Sequence, residues 1–516
     1  MRFAALCLAL ICFHTAAHSQ TADFKLERGP HGVGLRMLQQ YDYSRVYKTR
    51  FDVITGQQFN GERARPVQTL VWYPTAQTGV GIAYSEYQRT AVTEDDFTLS
   101  PQEIDKRAAA WVLDRSGKMD KDLLERELRQ RSWAIRDAAP AAGKFPVVLY
   151  APSLSANAYE NAELCEFLAS QGYVVLASAS VGARTRAMTS DLEGLEAQAA
   201  DIGFLLSSAY AIPQADTARV GVVGFSWGGM ANLVAAARDD RIGAVVSLDG
   251  SVRSYPKYIN GGAGAARDVT PERAAVPFLF IGARPKSVEQ ISGDDNDLSY
   301  SFINNMKYSD VYIATMAPML HRDFSSYVLR IVPHDPSGAY TREEVLTAHD
   351  WTLRYVHQFL EGYLKGSAPA LAFMRTSATA NGSPRTMMTI ESRLGKGKPA
   401  TFENLAHELN NKGYLLAIDI YKRMQKSDPK FQVSERSMDA WGSTLFRAGR
   451  KKEAMEVFRL GVFAYPQSAP LFESMGDMYK DGGDKQRAVT YYRRSLELDP
   501  DNPNLIASIE KLKASR

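Results

Sequence analysis

Three residue types in this chain could together break an acyl bond: a serine set between glycines, an aspartate and a histidine. Ser226 stands in Val220-Gly-Val-Val-Gly-Phe-Ser-Trp-Gly-Gly-Met230. A serine hydroxyl is a poor nucleophile at its own pKa, so an imidazole must take its proton and a carboxylate must hold that imidazole in the right tautomer. The pattern Gly-x-Ser-x-Gly answers the first need. The β-branched run before it predicts a strand, and the alanine-rich stretch from Ala231 to Ala237 predicts a helix. A serine at such a strand-to-helix turn sits on strained backbone with its hydroxyl clear of the chain. Glycines two residues either side remove Cβ atoms that would collide there. The helix that follows aims free N–H groups and a partial positive charge at an oxyanion forming beside the serine.

The elements that must position the partners come from the alternation around this turn. Apolar runs at Val67–Tyr73, Phe145–Tyr150, Tyr173–Ala177, Ala244–Leu248, Val276–Ile281 and Val311–Thr315 read as strands, with helical patterns ending at Ser170 and spanning Leu192–Ala209 between them. Gly29–Arg50 reads as short antiparallel strands. Strands alternating with helices predict an α/β fold, a mostly parallel sheet covered by helices on both faces. Ligands of such sheets bind beyond the carboxyl ends of the strands. Asp249 directly follows the Ala244 strand, and His321 follows the Val311 strand across the loop Met316–Leu320. His334, in Val-Pro-His-Asp-Pro, is the rival base; His349 and His357 fall in a helix. Asp294, Asp295 and Asp297 come later, in a polar loop, whereas Ile281-Gly-Ala-Arg284 offers no carboxylate at its strand end. That absence favours Asp249 as the acid.

Residues from about 29 to 365 resemble the α/β-hydrolase superfamily, in its dienelactone-hydrolase and platelet-activating-factor acetylhydrolase branch. The resemblance rests on Gly29-Pro-His-Gly-Val-Gly34, Val71-Trp-Tyr-Pro74, Gly224-Phe-Ser-Trp-Gly-Gly229, Leu248-Asp-Gly250 and Leu320-His-Arg-Asp-Phe324. It implies a triad of Ser226, Asp249 and His321, and an oxyanion hole made by the backbone N–H groups of Trp227 and Leu154. The His-Gly pair that usually precedes the leucine is replaced here by Pro152-Ser153, which leaves the geometry of that loop open.

Between the first strands and the Phe145 strand, residues from about 84 to 144 form a charged helical insertion, a lid over the site or a surface decoration. Ser100-Pro-Gln-Glu103 is a capping box with proline at the first helical position. A second helix through Leu123, Leu124, Leu128 and Trp133 carries Glu125/Arg129 and Glu127/Arg131 at i,i+4 spacing.

The remaining third holds a repeat. Gly449, Ala454, Phe458 and Pro466 recur as Gly483, Ala488, Tyr492 and Pro500, always 34 residues on. That period, with Trp441-Gly442 and Asp499-Pro500, resembles the tetratricopeptide repeat, and Asn404–Pro429 is a less regular first copy. The expected organisation is a signal peptide over 1–19, a hydrolase domain over 20–366, a Ser/Thr/Gly/Pro/Lys-rich linker over 367–402 and helical repeats over 403–516.

Length supports that division, because 516 residues exceed what one core usually serves. A net charge of +3 over such a length makes no case for nucleic acid. Arg2, the short apolar run Phe3–Phe13 and Ala17-His-Ser19 read as a signal peptide, too short to span a bilayer, so the chain is expected to be periplasmic or secreted with no membrane span after cleavage. Cys7 and Cys12 lie inside that leader, leaving Cys165 unable to form an internal disulfide. No metal-ligand spacing, dinucleotide loop or P-loop occurs, so no metal or cofactor is expected. The sum is an exported serine hydrolase acting on a small-molecule or lipid-like carboxylic ester. A peptidase or amidase needs the same triad, and a scaffold whose repeats bind a protein partner, or a second copy, is the reading outside enzyme chemistry.

Overall fold

The computed structural model describes residues 21–514, except 52–53, 117–119, 260–263, 286–300, 333 and 335–337. The proposed leader and the aspartates at 294, 295 and 297 lie outside the described residues. The chain divides into two units, 1–397 and 398–516.

The first unit is built on a ten-stranded sheet in the order β10-β9-β8-β7-β6-β4-β5-β2-β1-β3. These strands are β1 (Gly32–Val46), β2 (Ala64–Thr75), β3 (Ala134–Arg136), β4 (Phe145–Ala151), β5 (Val174–Ser178), β6 (Ala215–Phe225), β7 (Ile242–Leu248), β8 (Phe278–Ala283), β9 (Val311–Met316) and β10 (Met388–Arg393). From β5 to β9 every neighbouring pair is parallel, with Val148 opposite Val175 and Gly221, and Val222 opposite Val245. Side chains alternate across a strand, so both faces of these runs must be apolar. Val148, Tyr150, Val223 and Phe225 accordingly join one core, and Val147, Leu149, Val220 and Val222 the other. The helices α1 (Tyr84–Thr90), α2 (Pro101–Ser116) and α3 (Lys121–Arg129) come from the insertion; α4 (Ala162–Ser170), α5 (Leu192–Ala209) and α6 (Trp227–Ala236) alternate with the central strands. Cys165, in α4, has a fully buried thiol whose pKa is pushed well up by desolvation.

Three local expectations change. The helix expected to reach Trp133 stops at Arg129, and Ala134–Arg136 instead adds a short strand parallel to β1. Glu125 does pair with Arg129 at 2.7 Å, but Glu127 does not pair with Arg131. Its side chain is 0% exposed and meets Arg330 at 2.8 Å, while also accepting the Ala22 N–H at 2.6 Å. A buried carboxylate needs a partner inside the protein, and Arg131 lies partly exposed, donating to the Gly81 carbonyl. Finally, the stretch expected as a linker forms the helix Ala368–Arg375 and then β10, antiparallel to β9 from Met388↔Met316 to Arg393↔Val311. That pairing satisfies the outer edge of β9, so the first unit extends to Gly397.

The second unit is helical: Phe402–Lys412, Ala417–Ser427, Glu435–Arg447, Lys451–Ala464, Ala469–Asp481, Lys485–Leu498 and Pro503–Ala514. The 34-residue period has a packing cause. A Cβ on Gly442 would lie 2.6 Å from the Phe458 ring, and one on Gly476 would lie 2.4 Å from the Tyr492 ring. Each glycine lets an aromatic side chain of the following helix press against the backbone, and both Ala454 and Ala488 are buried beside these contacts.

Candidate active site

The turn after β6 has the geometry that its sequence demands. Ser226 sits at φ 54° and ψ −117°, a left-handed conformation costly for a residue with a side chain. The surrounding backbone holds it there: the Ser226 N–H donates to the Leu248 carbonyl at 3.0 Å, and the Ser226 carbonyl accepts from Ser251 and Gly229. Space explains the flanking glycines. A Cβ on Gly224 would come within 2.5 Å of the Gly228 backbone, and one on Gly228 within 2.1 Å of the Ala151 carbonyl oxygen. The elbow is therefore pressed directly against the end of β4.

Asp249 begins the turn after β7, with φ 39°. Its N–H donates to the Ile281 carbonyl at 2.7 Å, and its Oδ1 accepts from the Ala283 N–H at 3.0 Å. With Oδ1 tied to the end of β8, Oδ2 faces His321 Nδ1 at 2.6 Å. The other ring nitrogen, Nε2, lies 3.0 Å from Ser226 Oγ. Residues 72 and 95 positions away in the chain thus meet on one imidazole.

His321 opens a short 3₁₀ turn, His321–Phe324, just past β9. The Asp323 carboxylate caps that turn by accepting the Leu320 N–H at 2.7 Å. The Phe225 ring lies 5.0 Å from the imidazole and also stacks on Phe324, so the residue before Ser226 supports the face of the His321 ring. The His321 side chain remains 55% exposed, open to an incoming ligand. His334, the rival base, points Nε2 at the Tyr340 carbonyl, 3.0 Å away. His357 pairs with Glu361 at 3.2 Å, and His349 is fully buried.

Leu154 occupies the turn directly after β4, and Trp227 is the first residue of α6. The first turn of a helix leaves its N–H groups without intrahelical acceptors. Around Leu154 the loop is heavily bonded. The buried Glu160 carboxylate accepts the Ser153 N–H at 2.8 Å, the Ser153 hydroxyl at 2.5 Å and the Tyr150 hydroxyl at 3.2 Å. Desolvation pushes the Glu160 pKa up, while the Ser153 and Tyr150 donors pull it back. Gln198 Nε2 donates to the Pro152 carbonyl, and the Ser180 N–H to the Ala156 carbonyl.

The insertion contributes a second brace. Glu94, just past α1, accepts the Ala158 N–H at 2.9 Å and pairs with Arg186 at 2.6 Å. Arg186 in turn donates to Asn157 Oδ1 and the Ser155 carbonyl. Burial lifts the Glu94 pKa to about 7, opposed by the Arg186 charge. Tyr84 and Tyr87 of α1 pack against Tyr159, so the insertion is anchored in the core beside this loop. Neither Glu160 nor Glu94 carries any pattern in the sequence that marks it. Among the described residues no group of His, Cys, Asp or Glu has the arrangement to hold a metal ion.

This architecture matches known proteins in both units. The model of the dienelactone hydrolase family matches residues 134–263, and that of the tetratricopeptide repeat matches residues 469–502. The C-terminal unit is similar to tetratricopeptide repeats, and the first unit has the fold of an α/β-hydrolase. Its fold resembles a ferulic acid esterase from Streptomyces cinnamoneus, with a TM-score of 0.50 and 18% identity, over 71% of this chain and 98% of that one. A curated relative, the N-terminal acetyltransferase A complex auxiliary subunit NAA15 of Arabidopsis thaliana, is 32% identical over 85 residues. That match spans 16% of the hydrolase chain and 10% of the relative's length. No helix among the described residues of the hydrolase is long and apolar enough to cross a membrane.

Proposed function

We propose that this hydrolase is an exported serine esterase that cleaves carboxylic esters through an acyl-enzyme. The observation that carries the reading is the unbroken hydrogen-bonded series from the Asp249 carboxylate through His321 to the Ser226 hydroxyl. Ser226 Oγ attacks the ester carbonyl as His321 Nε2 takes its proton. Asp249 keeps Nδ1 protonated and stabilises the imidazolium. The oxyanion is received by the N–H groups of Trp227 and Leu154, each worth about 10²–10³ in rate. The imidazolium then protonates the departing alkoxide, and water activated by the same base releases the acid. The dienelactone hydrolase match and the likeness to a ferulic acid esterase support an ester over an amide as substrate. The repeats are assigned to binding a protein partner or a second copy, and the leader to export into the periplasm or medium.

A fluorophosphonate probe tests the reading: the wild-type protein is labelled and Ser226→Ala is not. A panel of p-nitrophenyl esters of rising chain length, a hydroxycinnamate ester and aminoacyl anilides then sizes the acyl pocket. Anilide hydrolysis faster than ester hydrolysis would replace the esterase by an amidase or peptidase. An unreactive wild type would leave a scaffold that acts through its repeats.

A further inference from the structure

The feature that the proposed mechanism leaves unused is the buried carboxylate of Glu160. It sits just before α4, buried, yet among the described residues it makes no ion pair with an arginine or lysine; its side chain bonds the segment before Leu154, and its backbone carbonyl the segment after His321. On one side its oxygens accept both donors of Ser153 together with the Tyr150 hydroxyl. On the other side its backbone carbonyl accepts the Tyr327 N–H at 3.0 Å and the Ser326 hydroxyl at 3.2 Å. The neighbouring Asn161 repeats the connection: Oδ1 accepts the Ser326 N–H at 2.8 Å, and Nδ2 donates to the Tyr150 hydroxyl at 2.6 Å. Ser326 lies five residues beyond His321, and Ser153 lies one residue before Leu154.

The chemistry of the loop explains why a carboxylate belongs there. Pro152 has no N–H to give, and its carbonyl is already taken by Gln198. The Ala156 N–H holds the Ser153 carbonyl, and with it the peptide plane into Leu154, at 3.0 Å, so the bonds of the Ser153 N–H and hydroxyl decide where that plane as a whole is placed. A carboxylate is an acceptor only, with capacity for several donors, so it can take the serine N–H, the serine hydroxyl and the tyrosine hydroxyl at once. An oxyanion hole works only if its donors are already in place, since reorganising them during the reaction forfeits the gain.

We propose that Glu160 is the positioning residue of the oxyanion hole: it clamps Ser153 so that the Leu154 N–H faces the nucleophile, and ties that loop to the segment behind His321. The proposal rests on Ser226 being the nucleophile. Glu160 touches neither substrate nor triad by hydrogen bond; it acts through Ser153. Its loss is therefore felt in the transition state, with substrate binding preserved.

Three variants of the full chain test this, with kcat expressed per fluorophosphonate-titrated site so that misfolded protein does not count. Glu160→Met keeps the volume but accepts nothing, and is expected to lower kcat about 10²-fold with KM within about threefold. Glu160→Gln keeps an acceptor for the Ser153 N–H, while the serine hydroxyl can turn to accept from the amide; it is expected to restore kcat to within about threefold of wild type. Ser153→Ala removes only the hydroxyl bond, and is expected to lower kcat between about three- and tenfold. Affinity for a trifluoromethyl ketone, which forms a tetrahedral adduct, falls in step with kcat across the series. Wild-type kcat in Glu160→Met, or a loss in Glu160→Gln equal to that in Glu160→Met, overturns the clamp. If Glu160→Met yields no soluble protein, Ser153→Ala decides, and an unchanged kcat there overturns the proposal. A wild type that the probe does not label at Ser226 removes the esterase reading itself, whereas a labelled wild type with unaffected variants removes the clamp alone.

Discussion

His349 offers a test of buried electrostatics away from the triad. It lies in the helix Arg342–Leu364, fully buried against Phe24, and neither ring nitrogen has a hydrogen-bond partner among the described residues. Desolvation lowers its pKa from 6.5 to about 4, with the nearby Arg330 charge adding to the effect and Glu163 opposing it. The folded state thus keeps the imidazole neutral where the unfolded chain would protonate it. Stability from this residue is complete above pH 6.5 and drains away as pH falls toward 4. Linkage with those two pKa values gives a loss of about 2 kcal/mol at pH 5 and about 3 kcal/mol at pH 4. The wild-type profile alone hides this, because Glu94 and Glu166, both raised to about 7, contribute in the opposite sense and lose stability as pH rises. Comparison with His349→Phe isolates it. The substitution removes two unpartnered nitrogens and keeps an aromatic ring against Phe24. Urea unfolding followed by tryptophan fluorescence reads the right unit, since five of the six tryptophans (72, 111, 133, 227 and 351) precede residue 398. Between pH 7 and pH 5 the variant should gain about 2 kcal/mol on the wild type. Parallel curves, with a difference constant to about 0.5 kcal/mol, would refute the assignment of a neutral, desolvated imidazole.

Asp249→Asn should leave KM near wild type and lower kcat by about 10⁴, because the amide favours the wrong imidazole tautomer; steady-state kinetics on a p-nitrophenyl ester measures it. Gly228→Ala forces a methyl to 2.1 Å from the Ala151 carbonyl oxygen and should destabilise by about 3 kcal/mol or prevent folding, read as a fall in thermal midpoint or in soluble yield. A chain ending at Gly397 should keep esterase activity and fluorophosphonate labelling, whereas one ending at residue 366 loses β10 and the helix Ala368–Arg375 and should aggregate through the uncovered edge of β9. Size-exclusion chromatography of the two truncations separates these outcomes.

The elbow was legible in the sequence because its constraints are local: glycine spacing, a β-branched run and a helix-forming run within about twenty residues. The meeting of Asp249 and His321 beside Ser226 was legible by a different route, through the rule that parallel strands present side chains beyond their carboxyl ends. What escaped was set by distance and burial. The i,i+4 pattern points Glu127 at Arg131, yet its partner Arg330 is 203 residues away, and only the fold brings that arginine to a buried carboxylate. β10 was hidden because Met388-Thr-Ile-Glu-Ser-Arg sits in a polar stretch and carries few apolar residues, as an edge strand can. β3 has three residues, too few for any periodicity. Glu160 has no local signature at all, since its role is defined by Ser153 and Ser326 from separate segments.

The thiol in α4, the one cysteine among the described residues, makes the protein its own stopwatch. Cys165 is sealed in the core and held protonated, so a maleimide or disulfide reagent cannot reach it while that helix stays docked. Modification at Cys165, read on the peptide that carries it, therefore counts excursions in which the first unit comes apart, and mass spectrometry could time them in crude extract without a single engineered label.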